Sequence, residues 1–279
     1  MTDRRLAVLG TGLVDAQQPV LCADDLGVLR GDGIFETLLV RGGSAWLLDE
    51  HLARLARSAG RMELAAPAAP AWRELVATVL QVWPAGEEGV LRLVCTRGPE
   101  GGGAPTAYAT VASVPPETRR QRAAGLRVVT RSLGLPAGVR ETAPWLLGGV
   151  KTTSYAVAMA ALREARRHDA DDVIWLSTEG NVLEGPTATV VWAVGSTLCT
   201  VPAETGILIG TTTEHLLALA PKSGFAVDRR AATVAGLRSA DAVWLVSSVR
   251  GAAAVVAVDG QPRGDGGLTE KIHAILGFS

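Results

Sequence analysis

Twenty-seven of the 279 residues are Lys or Arg, and three of these are lysines: Lys151, Lys222 and Lys271. Arginine fills nearly every place where a positive charge suffices. A lysine that persists against such a bias can be there for its amine, which a guanidinium cannot replace as a nucleophile. Lys222 (Pro-Lys-Ser-Gly) and Lys271 (Thr-Glu-Lys) stand in polar surroundings and read as surface residues. Lys151 stands in Leu147-Gly148-Gly149-Val150-Lys151-Thr152-Thr153-Ser154-Tyr155, with no acidic neighbour in sequence. Desolvation or a nearby cation makes such an amine nucleophilic, typically for a Schiff base with a carbonyl or with pyridoxal phosphate.

Two further stretches could serve the same chemistry. In Asn181-Val182-Leu183-Glu184-Gly185-Pro186-Thr187 a carboxylate sits between apolar segments. Glu184 is either a strand-end salt-bridge partner or a group that keeps a pyridine nitrogen protonated. In Gly206-Ile207-Leu208-Ile209-Gly210-Thr211-Thr212-Thr213 a glycine precedes threonines at the expected start of a helix. Free N–H groups, hydroxyls and the positive dipole end suit a phosphate there, although a Thr near a helix start also needs no ligand. The pattern GxxxxGK[ST] is absent, so a nucleotide is not indicated.

The elements that must position these residues follow an α+β order. Phe35–Val40, a turn at 41–44 and Ala45–Leu48 read as a hairpin, and Asp49 opens a helix in which Leu52, Leu55 and Ala59 share one face. A second helix is expected at 69–82, and a second hairpin at 90–96 and 107–114. Pro115-Pro116-Glu117-Thr118-Arg119-Arg120-Gln121-Arg122 reads as an interdomain linker. The expected division is a small N-terminal domain over 1–118, a linker over 119–122 and a larger domain over 123–279 that carries Lys151. A helix is expected to follow Lys151 directly, with Thr152, Thr153 and Ser154 in its first turn, and to reach about Arg167. Strands are expected at 126–130, 172–176, 182–183, 188–194, 198–201, 242–247 and 252–258, with helices at 211–219 and at the C-terminus.

Composition limits the function classes. Apolar residues make up 48% of the chain, mean hydropathy is +0.24, net charge is −1 and the pI is near 6.4. That supports a sizeable core and argues against disorder, a nucleic-acid surface built on bulk positive charge, and a membrane span. Cys22, Cys95 and Cys199 lie far apart without CxxC spacing, which fits the cytoplasm and no metal site.

Lysine, then Glu184, then the Gly-Thr-Thr start come in one order, together with Gly31-Asp32-Gly33-Ile34-Phe35-Glu36 and Glu50-His51-Leu52-Ala53-Arg54-Leu55. From about Gly31 to Val256 this resembles the fold-type IV pyridoxal phosphate enzymes, which include D-amino-acid and branched-chain aminotransferases and aminodeoxychorismate lyase. The resemblance implies a two-domain, D-amino-acid aminotransferase-like α+β fold with pyridoxal 5′-phosphate in the interdomain cleft, in a homodimer. It makes Lys151 the Schiff-base lysine and Glu184 the partner of the pyridine nitrogen. It assigns Arg54, Thr211, Thr212 and Ser248 to the cofactor phosphate, and Tyr155 to a place near the phenolic oxygen. Phe35 and Glu36 fall on the substrate side. Some members carry a substrate-binding arginine where Gly102 stands here, which leaves Arg97, Arg30 and Arg250 as candidate receptors for a substrate carboxylate.

Two reactions follow from the resemblance. One is a lyase taking 4-amino-4-deoxychorismate to 4-aminobenzoate and pyruvate, a step towards folate. It is favoured by the likeness of Thr96-Arg97-Gly98-Pro99-Glu100-Gly101-Gly102-Gly103 and of Trp244–Gly251 to bacterial proteins assigned that role. The other is an aminotransferase acting on D- or branched-chain amino acids.

Overall fold

The computed structural model describes residues 4–278, which fall into two compact units. The first comprises residues up to Pro115 together with Val150–Tyr155; the second comprises Pro116–Gly149 and the rest of the chain from Ala156.

Among the described residues the first unit holds β1 (Arg4–Val8), β2 (Gly12–Val14), α1 (Leu26–Leu29), β3 (Gly33–Arg41), β4 (Ser44–Ala45), α2 (Leu48–Arg61), α3 (Ala69–Leu80), β5 (Gly89–Thr96) and β6 (Thr106–Ser113). Its sheet runs β2-β1-β6-β5-β3-β4, antiparallel throughout. Alternation sets the core face: Ile34, Leu38 and Val40 of β3 join Leu91, Leu93 and Cys95 of β5 and Ala109 and Val111 of β6. Leu52, Leu55 and Ala59 of α2 and Trp72, Leu75, Val76 and Val79 of α3 cover that face. Glu36 lies on it too, in phase with Ile34 and Leu38, so the strand period alone places a carboxylate in an apolar core.

The second unit holds α4 (Pro116–Ala124), β7 (Leu126–Ser132), α5 (Val139–Thr142), α6 (Ala156–Arg167), β8 (Asp172–Leu176), β9 (Thr189–Val194), β10 (Thr197–Thr200), α7 (Thr211–Leu219), β11 (Ala226–Arg229), α8 (Val234–Ser239), β12 (Ala242–Ser247), β13 (Gly251–Val258), β14 (Gln261–Pro262) and α9 (Leu268–Leu276). Its mixed sheet runs β11-β10-β9-β12-β13-β7-β8, with β14 added to β13. β9 and β12 are buried along nearly their whole length, and Val190, Trp192, Val243 and Leu245 centre the core with Leu126, Val128 and Ile174. No helix among the described residues is long and apolar enough to cross a membrane.

The structure departs from the sequence reading in several places. Residues 119–122 lie inside α4 rather than in a linker. Pro116 occupies its first position, and Arg120 and Gln121 donate to Glu117 one turn away. Lys151 belongs with the first unit, because 151–153 pair with the start of β3. The helix after Lys151 begins only at Ala156, since the hydroxyls of Thr152, Thr153 and Ser154 all donate to the Gly31 carbonyl and hold that stretch extended. Where a strand is expected at 182–183, Val182 forms an isolated bridge to Leu176. The strand expected at 45–48 shortens to Ser44–Ala45.

Candidate active site

In the first unit Lys151 is held by its backbone. Its N–H donates to Ser58 Oγ (3.2 Å), and its carbonyl accepts from the Phe35 N–H (3.0 Å). The Thr153 N–H donates to the Gly33 carbonyl (2.8 Å). Gly31 and Gly33 permit this approach: Gly31 has φ +68, and a Cβ there would collide with Ser154. The Lys151 side chain is buried, with Nζ 3.3 Å from the Tyr155 hydroxyl and 4.5 Å from the centroid of the Phe35 ring. Phe35 and Tyr155 meet edge to face at 5.0 Å. Three residues predicted from the sequence, Lys151, Tyr155 and Phe35, therefore share one place. The amine sits against two aromatic faces, 4.5 Å from the Phe35 ring and 5.8 Å from the Tyr155 ring.

One polar stripe of α2 supports this place. His51, Arg54 and Ser58 recur at helical spacing on a buried face. Arg54 grips Glu36 with two hydrogen bonds of 2.7 Å, from Nε and Nη2, and His51 Nδ1 lies 2.7 Å from Glu36 Oε2. Glu36 and His51 are wholly buried. Burial alone would raise the Glu36 carboxyl, but the charge and hydrogen bonds of Arg54, with His51, outweigh it and hold the group at about 2. Burial pushes His51 below its ordinary value, against the pull of Glu36. The Glu36 carboxylate thus points into the core of the first unit. Phe35, on the opposite face of β3, is the one that meets Lys151. The expectation for Glu36 on the substrate side is corrected accordingly.

In the second unit Glu184 sits between the bridge at Val182 and β9, its backbone paired with Trp175. One carboxylate oxygen accepts from the Leu208 N–H (3.0 Å) and the other from Arg140 Nη2 (3.3 Å). Gly210 precedes α7 and has no side chain to cap it, and Thr211, Thr212 and Thr213 fill its first turn, all buried. The hydroxyls of Thr212 and Thr213 are enclosed and meet no hydrogen-bond partner among the described residues. Buried hydroxyls ordinarily find one. An uncapped helix start with an orphaned threonine hydroxyl has the donors that an anion such as a phosphate takes. Ser248 lies in the turn joining β12 to β13.

The candidate carboxylate receptors differ in how far the chain already engages them. Arg97 donates to Asp32 twice (2.7 and 3.2 Å), to the Met62 carbonyl (2.7 Å) and to the Glu63 carbonyl (3.0 Å). Four of its five N–H groups thus tie the end of β5 to neighbouring turns. Arg250 is buried against Asp172 at 2.9 Å. Arg30 is exposed and 3.6 Å from Glu100. Gly102 has φ +91 in a turn closed by its N–H on the Pro99 carbonyl, a backbone that a side-chain-bearing residue such as arginine adopts only with strain. His51 and Arg140 are contacts that residue spacing did not single out. For His51 a helical wheel putting it beside Arg54 would have done so; Arg140 lies in a stretch read as irregular.

The family described as Amino-transferase class IV matches residues 33–258. A bifunctional aminodeoxychorismate lyase / D-amino acid transaminase from Mycobacterium tuberculosis (strain ATCC 25618 / H37Rv) is 48% identical over 252 residues, 87% of each chain. A solved structure titled as a hypothetical aminotransferase from Mycobacterium tuberculosis, PLP-bound form, superposes with a TM-score of 0.95 at 44% identity, covering 99% of this chain and 98% of that one. The same description with alpha-ketoglutarate and PMP bound gives a TM-score of 0.95 at 44% identity, covering 98% and 97%. With the family matched over most of its length and a relative nearly half identical, the chain belongs to the class IV aminotransferase family.

Proposed function

We propose that this chain is a pyridoxal 5′-phosphate enzyme that converts 4-amino-4-deoxychorismate to 4-aminobenzoate and pyruvate, and that the same site transaminates D-amino acids. The observation that carries the reading is the pairing of a buried, aromatic-lined Lys151 with 48% identity to a relative named for both reactions. In this reading the protein works in the cytoplasm as a homodimer, on a step towards folate.

Bound pyridoxal phosphate supplies an aldehyde that captures an amine and a ring that takes up the electron pair released at the neighbouring carbon. Lys151 would hold that aldehyde and, once displaced by a substrate amine, move a proton at the substrate carbon through Nζ. Tyr155 and Phe35 orient Nζ and shield it from water. Glu184 would keep a proton on the ring nitrogen. Thr211 and Thr212 would bind the phosphate with the N–H groups and a hydroxyl of the α7 start, and Ser248 and Arg54 would add further donors. The orphaned Thr212 hydroxyl fits that assignment. Arg97 has one N–H left for a substrate carboxylate, and the more exposed Arg30 is the second candidate.

Incubation with aminodeoxychorismate and no keto acid should release pyruvate. D-Alanine with alpha-ketoglutarate should yield D-glutamate and pyruvate. Borohydride should fix the cofactor to wild type and not to Lys151→Ala. Activity on the amino-acid pair alone would remove the lyase, and borohydride labelling that persists in Lys151→Ala would remove the lysine assignment.

A further inference from the structure

We infer that Arg140 is a positioning residue for Glu184, and that it biases a proton shared between this carboxylate and a pyridine nitrogen towards the nitrogen. The inference deepens the reading above and rests on Glu184 facing the ring nitrogen.

Arg140 belongs to the four-residue α5, eleven positions before Lys151, and its side chain runs to Glu184 Oε1 at 3.3 Å. Both side chains are about 15% exposed, so the pair is largely shielded from water. Glu184 is the only hydrogen-bond or ion-pair partner of the Arg140 side chain among the described residues. Two glycines make room for it. A Cβ on Gly148 would fall 2.5 Å from Arg140 Cβ, and one on Gly206 would fall 2.8 Å from the same atom and 3.5 Å from Nε. The arginine stem therefore passes between two backbones that come close only because both residues lack a side chain. The second Glu184 oxygen is fixed by the Leu208 N–H. Each oxygen thus has its own donor, and the carboxylate is held in one orientation.

The electrostatics follow from this arrangement. A guanidinium touching the carboxylate lies nearer to the carboxylate than to whatever the carboxylate faces. It stabilises the arrangement with the negative charge on Glu184 and the proton on the nitrogen over the neutral arrangement with the proton on the carboxyl. Removing the charge shifts the proton towards Glu184.

The test uses the holoenzyme with pyridoxal 5′-phosphate labelled with 15N at the ring nitrogen. Glu184→Gln should move the ring-nitrogen signal fully towards the unprotonated position, Arg140→Gln part of the way, and Arg140→Lys least. In the Glu184→Gln background, Arg140→Gln should add nothing. Cofactor dissociation should rise by up to about tenfold in Arg140→Gln, because a proton drawn towards Glu184 weakens the charged hydrogen bond between that carboxylate and the ring nitrogen. A wild-type signal in Arg140→Gln, or in a soluble Arg140→Met should the former misfold, overturns the inference if Glu184→Gln has moved it. A signal unmoved by Glu184→Gln overturns the assignment of Glu184 itself, and the inference with it.

Discussion

Glu36 and Glu184 are both carboxylates set among apolar strand residues, and the chain treats them differently. In the first unit Glu36 is wholly buried and answered completely by Arg54 and His51 at 2.7 Å. In the second unit Glu184 keeps partial exposure, one longer arginine contact at 3.3 Å and one backbone donor. The threonines follow the same division. Thr152 and Thr153 of the first unit donate to Gly31, whereas the Thr212 and Thr213 hydroxyls of the second are enclosed without a partner among the described residues. Polar groups satisfied within the fold serve stability first. Those that the fold leaves unsatisfied at an uncapped helix start are suited to a ligand.

Breaking the Glu36 cluster should have the largest effect. Glu36→Ala strands a buried guanidinium beside a buried imidazole, and removal of one partner of such a pair costs about 3–5 kcal/mol. Denaturant unfolding of the cofactor-free protein reads it directly. A loss below about 1 kcal/mol would put Glu36 on the same footing as Glu184 and erase the contrast.

The same cluster predicts acid sensitivity. The Glu36 carboxyl moves from 4.5 to about 2 on folding, so its stabilisation is complete above about pH 4.5 and is lost as pH falls towards 2. The displacement corresponds to roughly 3 kcal/mol. His51 acts in the same direction and earlier. Its folded value lies below 6.5, so the unfolded chain takes up the proton first and stability begins to fall below that pH. Unfolding free energy followed from pH 7 to pH 3 should decline in both ranges, and Glu36→Gln should flatten the lower one. A variant as acid-sensitive as wild type would assign the decline to other carboxylates.

At the α7 start the expectation reverses. Thr212→Val removes a hydroxyl with no partner among the described residues, so cofactor-free stability should stay within about 1 kcal/mol of wild type. Cofactor affinity should fall about tenfold, as for one lost hydrogen bond to a charged group. Titration with pyridoxal phosphate separates the two quantities. Unchanged affinity would mean that the orphaned hydroxyl has no ligand to serve.

How much of this was readable in the sequence depends on the range of the interaction. α7 is found at the expected bounds, Thr211–Leu219, and β3, β5, β8 and β12 within two residues of theirs, because local period and turn residues define them. β1 was not readable. Its short stretch begins with charged residues, and it is held between the three-residue β2 and β6, the latter about a hundred residues on. The first-turn expectation for Thr152–Ser154 failed for a similar reason, since the Gly31 carbonyl that captures their hydroxyls lies more than 120 residues away. The site shows the same split. Types and order pointed to Lys151 and Glu184, while what holds each of them, Ser58 beneath one and Arg140 beside the other, is set by tertiary contact.

The smallest predicted effect tests the premise from which the site was found. If arginine replaces lysine wherever charge alone is needed, the two lysines of the second unit should be exchangeable. Lys222 lies in an exposed turn after α7 and Lys271 on the exposed side of α9, and neither makes an ion pair among the described residues. Lys222→Arg and Lys271→Arg should each leave unfolding free energy within about 0.5 kcal/mol of wild type and cofactor binding unchanged. Lys151→Arg keeps the charge against Phe35 but has no amine to form the covalent bond, so borohydride should attach no cofactor to it. Equal tolerance at all three positions would show that lysine is retained in this chain for reasons other than its nitrogen chemistry.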